Sequence, residues 1–255
     1  MAPGILAIFV CGGVAFLATS AAYLLIRRLG QEEARRGYRY GQIGSASLVS
    51  LAHGTNDAQK TMGVITLALI STGHLSAAHF TVPVWVKLIC ATAMALGTAS
   101  GGWRIINTMG NRITTVESPQ GFAAESSSAA TILASSYYGY PLSTTQVVSG
   151  GVMGAGLGKR GGVVHWPVVE QMATAWVITL PSAGLIGAAA WNISDLFGKN
   201  STAGAIVIAA LAAAIAFGLW TLSKRNPVTA EDLDRTNVTP ELEAERAEAV
   251  SPAMA

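Results

Sequence analysis

The chain has 255 residues, 51% of them hydrophobic and only 12% charged, with a mean hydropathy of +0.45 and a formal net charge of +2. That balance is too apolar for an ordinary soluble domain. It also argues against a nucleic-acid partner, because the basic residues sit beside apolar runs instead of building one basic face.

The first apolar run, Ile5 to Ile26, holds 22 residues without a charge, enough at about 1.5 Å per residue for a hydrocarbon core of about 30 Å. No Lys or Arg precedes it, and it exceeds the apolar length of a secretory leader, about 7 to 15 residues. A retained span is expected. Arg27, Arg28, Arg35, Arg36 and Arg39 follow it. The second apolar region, Gln42 to Ser71, is interrupted by the polar stretch Ser50 to Lys60, which in lipid is tolerated only where it faces a protein cavity. Gly54 permits a chain break, and Thr55, Asn56 or Asp57 can cap a half-helix resuming beyond it. A span discontinuous near residues 52–60 is therefore expected. The third region, Val82 to Ala99, is followed by Arg104 and Arg112.

Gly121 to Gly158 reads as a re-entrant hairpin. Its arms, about Ser126 to Tyr140 and Leu142 to Gly158, would each rise only about 22 to 26 Å as helix, short of the bilayer core. Non-helical backbone at their junction must be buried in protein or face water. Pro141 is expected at the first position of the second arm, where its missing N–H costs nothing. The small residues Gly150 to Gly156 suit close helix packing. Lys159 and Arg160 close the hairpin, and two more spans follow, about Pro167 to Ala190 and Ala203 to Ser223, ending on Lys224 and Arg225.

The flanks orient these elements. Eleven basic residues fall on the faces assigned to the cytoplasm, against Lys199 alone in the opposite loops, which places the N-terminus outside. Residues 1–225 thus form a membrane unit of five spans, one of them discontinuous, plus the hairpin. Residues 226–255 form an acidic, disordered cytoplasmic tail. Cys11 and Cys90 lie inside apolar runs with no metal or redox spacing, and no cofactor is expected.

Two stretches carry chemistry. At the hairpin junction, Ser143, Thr144 and Thr145 place three hydroxyls at a helix N-terminus, whose free amides and positive dipole end suit an oxyanion. In the second span, Asp57 beside such an anion would repel it unless a cation intervenes. The candidates are a co-transported Na+ held by Asp57, Asn56 and nearby carbonyls, a proton on Asp57, or the ammonium of Lys60. Glu125, at the expected hairpin entrance, is a second candidate cation ligand and equally an interfacial helix cap. His53 is expected to be a hydrogen-bonded structural histidine. The site reads as one for binding and transport, with no enzyme activity.

Gly54-Thr55-Asn56-Asp57-Ala58-Gln59-Lys60 and Gly139-Tyr140-Pro141-Leu142-Ser143-Thr144-Thr145-Gln146 resemble the two signature stretches of the inorganic phosphate transporter (PiT) family. They occur in the family order, and from about Ala15 to Lys224 the layout is similar to the family's C-terminal half. The resemblance implies inorganic phosphate as substrate, moved across the plasma membrane by symport with H+ or Na+. It implies phosphate ligation by Ser143, Thr144, Thr145, Asn56 and Gln146, and cation coupling through Asp57, Asn56 and Glu125, with Lys60 as a candidate charge partner. Family members carry both signatures twice, in inverted repeats, whereas this chain carries each once. The expected partners are therefore phosphate, the lipid bilayer, and the missing N-terminal repeat or a companion chain, within an oligomer or without one. Two alternatives stay open: another tetrahedral oxyanion such as sulfate, and a non-transporting remnant or accessory subunit.

Overall fold

The computed structural model describes residues 2–29, 31–76, 80–198 and 202–225. The tail at 226–255 lies outside them, as does Lys199. The described residues form helices and connecting loops without a β-strand. They divide into two units, 1–165 and 166–255.

In the first unit, α1 (Ala2–Leu29) is followed by α2 (Gln31–Ser71), α3 (Val84–Gly101), the short α4 (Trp103–Asn107) and a π-helical turn, Thr108–Arg112. The hairpin arms are α5 (Ser118–Tyr137) and α6 (Thr144–Gly158). Among the described residues of both units, three helical segments are long and apolar enough to cross a membrane: Gly4–Arg28, Trp166–Leu196 and Thr202–Leu222; Val84–Ala99 is apolar but shorter.

The expected break near residues 52–60 is absent: α2 is one helix of 41 residues, running straight through Gly54. A glycine inside a helix costs only about 1 kcal/mol relative to alanine. The residues that were expected to cap a new helix are occupied otherwise. Thr55 donates its hydroxyl to Leu51 O and Ala52 O within the same helix, and Asn56 and Asp57 bond outward to the hairpin. With the polar side chains satisfied by a neighbouring element, no chain break is required.

The hairpin starts earlier and turns differently from the expectation. Glu117 caps α5 in a reciprocal box with Gln120, whose side-chain oxygen accepts the Glu117 N–H at 3.0 Å, the arrangement that satisfies two orphan donors at once. At the other end α5 closes in a Schellman motif: Tyr140 N–H bonds Ser135 O at 2.8 Å and Gly139 N–H bonds Ser136 O at 3.2 Å. Gly139 has φ of 74°, the left-handed conformation this motif favours glycine for. Tyr140 to Ser143 are non-helical, and α6 begins only at Thr144 with Ser143 as its N-cap. Pro141 therefore sits in the extended connection, three residues before the position expected of it. Its effect is to hold Tyr140 away from helical conformation.

Both feet of the hairpin stand together. Lys159, just past α6, pairs with Glu117 at 2.5 Å, and Tyr23 of α1 donates to the same carboxylate at 2.6 Å. Glycines hold α6 on α1. A Cβ on Gly154 would lie 2.0 Å from Gly12 O, one on Gly150 2.7 Å from Ile8 O, and one on Gly158 2.6 Å from Phe16 O. This four-residue spacing is the small-residue seam that lets two backbones touch. Near the hairpin tip, Ala7 and Cys11 of α1, Ala52 of α2, Ile132 of α5, Leu142 and Val147 form a buried apolar cluster.

The described residues of the second unit form α7 (Trp166–Leu196), which carries Pro181 within it, and α8 (Thr202–Arg225), with a short connection after α7.

Candidate functional site

His53, Asn56, Asp57 and Lys60 stand at positions i, i+3, i+4 and i+7 of α2 and so share one face of a continuous helix. Asp57 is their centre. Lys60 Nζ donates to its Oδ1 at 2.8 Å, His53 Nε2 lies 3.0 Å from its Oδ2, and the Asn56 amide approaches Oδ1 at 3.5 Å. The fourth donor comes from the hairpin, where Thr144 Oγ1 donates to Asp57 Oδ2 at 3.0 Å.

The hairpin contributes a second polar atom to the same place. The Leu142 carbonyl, freed from helical bonding by the extended connection, accepts from Asn56 Nδ2 at 3.1 Å and also from Lys60 Nζ. Asn56 and Thr144 are each only 4% exposed. The side chains of His53, Asp57 and Lys60 keep 46%, 27% and 37% of their exposure, so the cluster is open on one side. Its formal charge is zero with His53 neutral, because Lys60 balances Asp57. An arriving anion would therefore meet a neutral, donor-rich surface.

The N-terminus of α6 completes the arrangement. Ser143 Oγ accepts from the Gln146 amide at a long 3.5 Å, while the amides of Thr144 and Thr145 have no carbonyl within the helix to pair with. Thr145 and Ser143 are exposed, and Gln146 is half-buried. The proposed phosphate ligands thus fall into two groups. Asn56 and Thr144 are buried in the contact between α2 and the hairpin; Ser143, Thr145 and Gln146 line its open edge.

Glu125 is not part of this cluster. It lies well inside α5, where its Oε2 accepts from Ser45 Oγ at 2.6 Å. Ser45 precedes Asp57 by twelve positions of α2, about 18 Å of helical rise. The residue at the hairpin entrance is Glu117, and its capping box with Gln120 is the sequence signal that locates it. One participant escaped the motif reading. The Leu142 carbonyl has no side-chain signature, although a residue pair ahead of a helix cap and next to proline marks backbone that stays unpaired. His53 was legible through its spacing from Asp57 and Lys60.

The described residues contain no group of three or more His, Cys, Asp or Glu able to hold a metal ion. Asp57, Asn56 and the Leu142 carbonyl supply hard oxygen atoms of the kind Na+ takes, but the Lys60 ammonium already occupies that position.

Comparison with known proteins places these features in context. A family model described as the phosphate transporter family matches residues 5–187. A probable low-affinity inorganic phosphate transporter of Mycobacterium tuberculosis is 48% identical over 241 residues, which covers 94% of this chain and 56% of that protein. Its counterpart in Mycobacterium leprae is 50% identical over 223 residues, covering 88% and 53%. One from Bacillus subtilis is 40% identical over 181 residues, covering 71% and 54%. Among solved structures, the sodium-dependent phosphate transporter aligns with a TM-score of 0.52 at 22% identity, covering 70% of this chain and 52% of that one, a likeness of fold. The chain spans about half the length of the curated relatives it matches.

Proposed function

This chain belongs to the phosphate transporter family, and from that premise we propose that it forms one half of an inverted-repeat carrier moving inorganic phosphate across the plasma membrane by symport with H+ or Na+. The complementary half is a second repeat, in a longer form of the chain or in a companion chain. In this reading α1, α2, α3, α7 and α8 are the five spans and α5–α6 the re-entrant hairpin, with the N-terminus outside. The tail over 226–255 is then cytoplasmic.

The observation that carries the reading is the meeting of α6 with Asp57. Ser143, Thr144 and Thr145 offer hydroxyls and amides to phosphate oxygens, with Asn56 and Gln146 as side donors. The helix dipole adds to their pull. Asp57 provides what a neutral anion trap would lack, an acceptor for the proton that phosphate carries at neutral pH and sulfate does not. It also provides the coupling. A proton delivered to Asp57, or a Na+ added beside it while the Lys60 ammonium stays in the site, raises the local charge by one unit and thereby the affinity for the anion. Lys60 then acts as a resident counter-charge that prevents Asp57 from expelling phosphate between cycles.

The test is radiolabelled phosphate uptake by cells lacking their own carriers, with the complementary repeat supplied. Asp57→Asn is expected to abolish cation-driven uptake while leaving the protein in the membrane. Ordinary cation-dependent uptake by that variant would overturn the assignment. A properly inserted wild-type protein that stays inactive beside its complementary repeat would favour an accessory role.

A further inference from the structure

At the end of the molecule remote from Asp57, three basic side chains converge. Arg27 of α1 and Lys159 and Arg160 after α6 line one hollow of about 400 Å³. Thr144 and Lys159 are separated by the whole of α6, about 22 Å of rise, so this is a different site from the one described above. Lys159 is held by Glu117 and stands 5.9 Å over the Tyr23 ring. Among the described residues, neither Arg27 nor Arg160 makes an ion pair, and both are exposed. Two guanidinium groups are thus left to face an outside anion, and their planar forks suit phosphate oxygens.

The rest of the lining distinguishes between two sources of phosphate. Phe16, Leu24 and Leu157 form apolar walls and are 42%, 58% and 48% exposed. A free inorganic anion has no use for such walls. Along α1, Phe16 and Arg27 are eleven residues apart, about 16 Å of rise, close to one leaflet of a hydrocarbon core of about 30 Å. Arg27 is the next-to-last residue of the candidate membrane span Gly4–Arg28, where a headgroup would meet it.

We infer that this hollow seats one anionic phospholipid, its headgroup phosphate between Arg27 and Arg160 and an acyl chain along Phe16, Leu24 and Leu157. The lipid would bind against the α6 foot of the hairpin, because Ser20, in the same wall, donates to Gly158 O at 3.1 Å.

Native mass spectrometry of the detergent-purified chain tests this, with phosphatidylglycerol, phosphatidylcholine and inorganic phosphate as separate titrants. Phosphatidylglycerol should be retained in preference to phosphatidylcholine by about tenfold, given two basic contacts near an anionic surface. The double variant Arg27→Gln, Arg160→Gln should reduce that retention to the phosphatidylcholine level. Arg28→Gln, beside the hollow but not lining it, should leave it unchanged. Three outcomes would overturn the inference: equal loss in Arg28→Gln, an unchanged preference in the double variant, or displacement of phosphatidylglycerol by millimolar inorganic phosphate. The measurement needs no transport, so its failure leaves the proposed carrier function untouched, and the reverse also holds.

Discussion

The Asn56 amide reaches 3.1 Å to the carbonyl of Leu142, a residue 86 positions away in the chain, and so fastens the middle of α2 to the tip of the hairpin. Asn56→Leu keeps the approximate volume but removes the donor from a buried site, at a cost of about 1 to 3 kcal/mol for the polar group left short of a partner. Gly139, Tyr140, Leu142 and Ser143 should exchange their amide hydrogens faster, and apparent phosphate affinity should fall. Unchanged exchange across the tip would show that Lys60 alone holds the Leu142 carbonyl.

Lys60→Met removes the resident positive charge while Asp57 remains. Phosphate affinity should fall on the order of tenfold, equivalent to about 1.4 kcal/mol, a modest figure because the ammonium is partly exposed and screened. Added Na+ should recover much of the loss, since a cation can then occupy the vacated place beside Asp57. A Na+ titration that leaves the variant unimproved would argue against Lys60 as a counter-charge.

The three adjacent hydroxyls should not be equivalent. Thr144→Val deletes a buried bond to a carboxylate, and bonds to charged groups are worth about 1.5 to 3 kcal/mol. Ser143→Ala removes an N-cap, worth about 1 kcal/mol and here weakened by a long contact. Thr145→Val, at an exposed position, should alter phosphate affinity without altering the thermal midpoint. Equal effects on the midpoint from all three would contradict the placement of Thr144 against Asp57.

Two glycines should respond in opposite ways. Gly154→Leu would drive its side chain into the α1 backbone at Gly12, parting α1 from α6 and yielding aggregated protein on size-exclusion chromatography. At Gly54 a Cβ would meet nothing within 4 Å, and because α2 is unbroken there, Gly54→Ala should stabilise the helix by about 1 kcal/mol. A destabilised Gly54→Ala variant would revive the broken helix that the sequence suggested.

Much of this arrangement is legible along the chain. Apolar length marks α1, α7 and α8 within a few residues, since the hydrocarbon thickness sets the length a span must have. Gly139 and Pro141 mark the hairpin tip because glycine admits the left-handed conformation there and proline keeps the residue before it out of a helix. The residues of the α2 polar face declare themselves by spacing. His53, Asn56, Asp57 and Lys60 recur with the period of a helix, which in retrospect points to continuity through Gly54 more strongly than glycine points to a break.

Pairing across the fold was beyond that reading. Whether Asp57 caps a half-helix or bonds Thr144, whether Glu125 faces the site or Ser45, and whether the glycines of α6 find Gly12 all depend on which helix lies alongside. Residue order and periodicity determine helices, their faces and the turn between the hairpin arms, because those follow from bonds made within a few positions. Only the packed structure decided that the Leu142 carbonyl joins Asn56, Asp57 and Lys60. A backbone oxygen has no identity in the sequence, and it becomes a ligand only where another helix brings donors to it.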